Sequence, residues 1–123
     1  MICPYCKNEA PWVENQAIYG RNFGKSYMCY YCKPCNAYVG CHNNTRKPLG
    51  TMANKELRDW RIKAHAVFDL LWKNEIKSKG FSKKIRREKA YGLLEGNFGF
   101  KVHIAESDVE MCKKIIEFIK VKE

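Results

Sequence analysis

The sequence predicts an α+β fold, with short antiparallel strands in its first third and about three helices after them. Three observations carry that expectation. Two C-x-x-C pairs, Cys3-Pro-Tyr-Cys6 and Cys32-Lys-Pro-Cys35, bracket an aromatic-rich run broken by turn formers. Apolar residues then recur at helical spacing from Leu57 to Trp72, and again from Val109 to Ile119. Between those stripes, Ser82 precedes a basic run with the look of a capped helix start.

The 123 residues suffice for one domain, or for a small module joined to a second small one. A hydrophobic fraction of 46 % is enough for a folded core and argues against disorder. No apolar run approaches the ~20 residues needed to span a bilayer. The chain reaches Cys3 at once, which leaves no room for a secretory leader. Seven cysteines, an odd number, are clustered in a way that a secreted disulfide scaffold rarely shows. Metal thiolates in a reducing cytoplasm fit better.

The first pair, with Lys7-Asn8 behind it, forms one knuckle. Trp12 to Tyr19 reads as a strand, Gly20 to Gly24 as a turn, and Ser26 to Tyr31 as a second strand leading into the second knuckle. Ala37 to His42 is predicted as a third short strand. Strands this short bury too little apolar surface to stand alone. Four thiolates around one zinc ion make a closed tetrahedral shell that supplies the missing cross-link, on the order of 10 kcal/mol in small modules. Zinc suits this set better than iron or a redox dithiol, and the role is structural. Backbone N–H groups in the turns behind the knuckles, at Lys7-Asn8 and Asn36-Ala37, are expected to point at the sulfurs.

Cys29-Tyr-Tyr-Cys32-Lys-Pro-Cys35 contains two overlapping spacings. Cys32 and Cys35 are preferred because Cys32-Lys-Pro-Cys-Asn36 repeats the proline and turn chemistry of the first knuckle. Cys29 is then a small buried strand residue. The expected architecture is a zinc ribbon over residues 1–50, packed with a basic helical part over 51–123 as one compact unit. The connector from Asn43 to Ala53 holds the boundary.

A long amphipathic helix is expected from Asn54 to Ser78. Its buried stripe comprises Leu57, Trp60, Ala64, Phe68, Leu71 and Trp72, flanked by Val67 and Ile76, and Gly80 follows its end. Lys55, Arg58, Lys63, Lys73 and Lys77 lie on its exposed face. Ser82 caps a second helix, Lys83 to Glu95, closed by Gly96. Phe98 to Ile104 reads as a strand. Ser107-Asp-Val-Glu110 has capping-box spacing and opens a last helix with Val109, Cys112, Ile115, Ile116 and Ile119 on one face, Cys112 being expected in the core.

Net charge is +10, with six basic and two acidic residues in 1–50 against seventeen and eleven in 51–123. A basic balance of this size favours a polyanionic partner, nucleic acid first. Lys83, Lys84, Arg86, Arg87 and Lys89 crowd a helix start where the macrodipole prefers acids. A phosphate backbone is the partner that neutralises such a cluster. Tyr30, Tyr31 and Tyr38 in the ribbon are candidates for stacking on bases. Against this stands the plain alternative that lysine-rich helix faces are simply solvated. His65 and Asp69 are four apart on one helix and share a face. With His42 and His103 they form a possible second polar site, whose ordinary reading is a histidine satisfied by a neighbouring carboxylate.

Taken together, Cys3-Pro-Tyr-Cys6, Cys32-x-x-Cys35-x-Ala37-x-Val39-Gly40-x-His42 and the run from Pro48 to Arg58 resemble a known family. Ala64-His65, Phe68-Asp69-x-Leu71-Trp72, Ala90-Tyr91 and His103-Ile104 extend the likeness over nearly the whole chain. The family is that of small zinc-finger-containing proteins of unknown function from bacteriophages and prophages. Gly92-Leu93-Leu94 and Ala105 depart from its pattern, and Cys29 and Cys41 lie outside it. The resemblance implies a zinc ribbon fused to a helical part and the cytoplasm of a bacterial host, and no particular activity. The expected function is non-enzymatic nucleic-acid binding, DNA or RNA, with no small-molecule substrate and no membrane. One alternative is a module that docks the same positive surface on an acidic host protein. Another is a small nuclease or hydrolase using His42, His65, Asp69 and His103, which requires those groups to converge.

Overall fold

A computed structural model describes residues 1–75 and 82–122. They fall into two compact units, Met1–Arg58 and Asp59–Glu123. The first unit carries a three-stranded antiparallel sheet in the order β1 (Trp12–Glu14), β2 (Met28–Cys32), β3 (Ala37–Gly40). Val13 pairs with Cys29, Cys29 with Gly40, Tyr31 with Tyr38 and Cys32 with Ala37. Among the described residues three helices longer than two turns follow, so the α+β expectation holds.

The first predicted strand stops five residues early. Asn15 ends it, because its side chain donates to Phe23 O and accepts from Phe23 N–H, a local alternative to the sheet ladder. Residues Gln16–Tyr19 instead form a one-turn helix, α1, closed by Gly20 at φ +83°. The second strand runs from Met28 into Cys32 itself, and the third ends at Gly40.

The connector is bonded to the exposed edge of β3. Tyr38 and Ala53 exchange both backbone hydrogen bonds, Leu49 N–H donates to Gly40 O, and His42 N–H donates to Lys47 O. Covering a sheet edge in this way satisfies groups that would otherwise be open to another chain. It also accounts for the first unit reaching Arg58, past the connector where the sequence alone puts a boundary. Cys3, Ala10, Cys32, Ala37 and Met52 form its buried cluster, with Tyr30 and Val39 packed against it.

Helix α2 (Lys55–Leu70) starts at Asn54, whose Oδ1 accepts from Leu57 N–H. A π turn, Leu71–Glu75, continues it. The expectations for Ile76, Lys77, Ser78 and Gly80 lie outside the described residues. Ala64, Phe68, Leu71 and Trp72 are buried as predicted, while Trp60 is only half-buried. Helix α3 (Lys83–Phe98) starts at Ser82, which accepts from Ile85 N–H.

Helix α3 runs through Gly92 and Gly96, and Gly99, at φ +79°, ends it instead of Gly96. The extra turn brings the Phe98 ring within 6.0 Å of Phe100 and 5.9 Å of Phe118. That packing outweighs the roughly 1 kcal/mol that a helical glycine costs. The predicted strand at Phe98–Ile104 does not form; the segment ends in a 3₁₀ turn, Ile104–Glu106. An extended run needs a ladder partner, and no strand occurs in the second unit among the described residues. Helix α4 (Val109–Lys122) is capped by Asp108, whose Oδ1 accepts from Met111 N–H. Ser107 is buried and donates to His103 O, so the predicted capping box does not form.

Candidate metal centre and basic surfaces

The two knuckles are built alike. Lys7 N–H donates to Cys3 O, and Lys7 sits at φ +65°. Asn36 N–H donates to Lys33 O, and Asn36 sits at φ +50°. Left-handed positions for residues with a Cβ cost about 1 kcal/mol each. They turn the chain so that backbone N–H groups face sulfur. The Cys6 thiol receives the Asn8 N–H and the Cys32 thiol the Cys35 N–H. At the second knuckle the donor is thus Cys35, one residue before the predicted turn.

One atom from each of Cys3, Cys6, Cys32 and Cys35 lies within 4.8 Å of all the others. Cys6 Sγ and Cys32 Sγ are 3.6 Å apart. A tetrahedral zinc site with Zn–S near 2.3 Å has sulfur–sulfur edges of about 3.8 Å, so the cluster fits that ion. The all-sulfur donor set points the same way. Cys6 is drawn down to about 7, first by the Asn8 N–H. Cys35 is pushed up to about 12 by burial and then by the neighbouring thiols. A dication held by these four cysteines would turn that mutual repulsion into attraction. Cys29, Cys41 and Cys112 are each buried and stand outside the cluster.

A fold of short strands closed by such a cluster defines a zinc-finger-like class of protein. The match to known families makes this specific: the chain belongs to the family of zinc-finger-containing domains designated DUF3268, which covers residues 1–122. No curated protein and no solved structure matches it.

The basic residues of α3 divide between two places. Lys83, Lys84 and Arg87 line a surface concavity of about 490 Å³, together with Glu88 and Tyr91. Arg86 turns to Trp72, its guanidinium 5.6 Å from the ring centroid, and Lys83 and Lys73 approach the same ring at 5.6 and 5.2 Å. Arg86 Nε is buried without a hydrogen-bond partner among the described residues. Lys89, exposed, is rotated about 200° round the helix from Arg87 and faces elsewhere.

His42 belongs to the first unit, and His65, Asp69 and His103 to the second. Asp69 Oδ1 accepts from Trp72 Nε1–H at 2.9 Å. Burial holds His65 below the usual histidine value, against the opposing pull of Asp69. The His103 ring lies 5.9 Å from Tyr91, which stacks 4.3 Å from Phe68. Among the described residues these groups form no cluster of three metal-ligating side chains.

Of the ribbon tyrosines, Tyr31 and Tyr38 are cross-strand partners with rings 6.2 Å apart. Tyr30 alternates to the other face, packs against the cysteine-lined core and donates its hydroxyl to Arg46 O. Sequence reasoning missed Tyr19 and Arg58, which adjoin Tyr38, and Phe23 and Arg21, which continue from Tyr19. Their signal is the aromatic pair on either side of Gly20, which a single strand over Trp12–Tyr19 conceals. No helix among the described residues is long and apolar enough to cross a membrane.

Proposed function

We propose that this chain is a nucleic-acid-binding module in which one structural zinc ion ties the ribbon and the start of α3 contacts phosphates. When bound, zinc supplies a closed four-thiolate tie with no open position, so Cys3, Cys6, Cys32 and Cys35 hold structure only.

The observation that carries the reading is the gathering of cations where α3 begins. Lys83, Lys84 and Arg87 ring one concavity, Lys73 and Arg86 converge with Lys83 on the Trp72 indole, and the first turn holds no acid. Like charges at a helix N-terminus repel one another and the macrodipole. A polyanion relieves both, and releases counterions as it does.

The test is binding to single- and double-stranded DNA and RNA across a salt series. Affinity should fall steeply with salt, and each of Lys83→Ala and Arg87→Ala should reduce the logarithmic salt slope by about one. A salt-independent affinity, or none tighter than micromolar, sinks the reading. A stoichiometric acidic protein partner that survives nuclease treatment of a lysate would redirect it to protein docking.

A further inference from the structure

One face of the ribbon carries four aromatic rings in an unbroken row. Phe23 and Tyr19 lie 5.4 Å apart at 87°, Tyr19 and Tyr38 6.1 Å at 82°, and Tyr38 and Tyr31 6.2 Å at 71°. Tyr19 is 49 % exposed and Phe23 44 %. Two arginines are interleaved with the row. Arg58 stacks 4.1 Å from the Tyr38 centroid and Arg21 4.6 Å from that of Phe23.

The outer end of the row is held by design of the loop rather than by burial. Asn15 bonds the Phe23 backbone at both N–H and C=O, and Asn22 Oδ1 accepts from Gln16 N–H. Gly20 takes the left-handed turn that carries the chain from Tyr19 to Arg21. At the inner end, Arg58 Nη1 donates to Asn36 O at 2.6 Å and Ala53 O at 2.8 Å. Those bonds use the Nη1 hydrogens, while a guanidinium carries five. Exposed rings carried on a backbone already fixed by hydrogen bonds have less freedom to lose when something stacks on them.

We propose that this row is a binding strip for single-stranded nucleic acid, with bases stacking on Phe23 and Tyr19 and phosphates reaching Arg21 and Arg58. It rests on the nucleic-acid reading above and adds a second site, in the other unit, with a stated strandedness. Rings can stack only on bases whose faces are open, which a duplex does not offer. The two arginines and the basic charge of the chain favour a polyanion over a neutral sugar or an apolar peptide, and guanidinium groups suit phosphate geometry.

The experiment uses the zinc-loaded 123-residue chain with a labelled oligothymidylate and a blunt duplex hairpin, both read by fluorescence anisotropy. The Tyr19→Leu/Phe23→Leu double variant keeps apolar volume, and its zinc content and near-ultraviolet spectrum report folding. It should bind the single strand about 10-fold or more weakly and the duplex unchanged. Tyrosine fluorescence of the unsubstituted chain should be quenched by the single strand and not by the duplex. Single-strand affinity unaltered in the folded double variant, or a preference of the native chain for duplex, overturns the strip. The Lys83→Ala/Arg87→Ala variant tests the other reading separately. If it binds both probes normally while the aromatic variant fails, the α3 surface falls and the strip stands. If no probe binds, both fall.

Discussion

At the residue scale the seven cysteines separate by what surrounds each sulfur. Cys3, Cys6, Cys32 and Cys35 face one another, while Cys29 and Cys112 sit in apolar surroundings that raise their thiols, burial being the first cause. Substituting Cys3 or Cys32 by serine should abolish zinc binding and unfold the ribbon, because apparent metal free energies of about 10 kcal/mol or more act as folding free energy. Cys29→Ser and Cys112→Ala should keep one zinc per chain by elemental analysis. Retained zinc in Cys32→Ser would reassign the quartet to Cys29. His65 gives a second residue-level prediction. With its folded value below the unfolded 6.5, stability is full above 6.5 and is lost as pH falls from there through the folded value. An NMR titration should place its midpoint below 6.5, and a midpoint above that would put the Asp69 attraction ahead of burial.

The helices make the argument at the scale of elements. Gly92 and Gly96 lie inside α3 with open space where a Cβ would stand. Alanine at either should stabilise the protein by about 0.5–1 kcal/mol, since it removes glycine's backbone entropy without a clash. Gly99→Ala should destabilise by a similar amount or more, because φ +79° is left-handed. Urea denaturation followed by circular dichroism distinguishes the signs, and a destabilised Gly96→Ala would mean that the helix ends where the sequence suggests. The π turn at Leu71–Glu75 matters here too: it packs on α3 and carries Trp72, on which Lys73, Lys83 and Arg86 converge.

Over the whole molecule, the two units have separate sources of stability. The cysteine cluster is part of the core of Met1–Arg58. Asp59–Glu123 buries its own apolar residues, among them Phe68, Leu94, Ile104, Ile115 and Ile119. Chelation of the metal should therefore expose the amides of β1, β2 and β3 to fast hydrogen exchange while those of α3 and α4 keep their protection. Uniform loss of protection would show that the second unit depends on the metal. The balance of charge is shared: both units are basic, and each carries one of the two surfaces proposed to meet nucleic acid.

Spacing and periodicity by themselves determined the cysteine quartet, the two-strand approach to the second knuckle, the Asn54 and Ser82 caps, and the buried stripes of α2 and α4. Each of these is local, set by chain connectivity over a few residues or by a period that needs no knowledge of the partner. Where two signals competed, tertiary contacts decided. Asn15 bonded to Phe23 and turned a strand into α1, Phe98 found Phe100 and Phe118 and carried α3 past Gly96, and Ser107 turned to His103 and left the cap to Asp108. The aromatic row was legible only in part, through Tyr31 and Tyr38, for the same reason. Its rings Tyr19, Phe23, Tyr31 and Tyr38 and the neighbouring Arg58 come from α1, the loop after it, β2, β3 and α2, and the hairpin register and the connector's bonds to β3 bring them side by side.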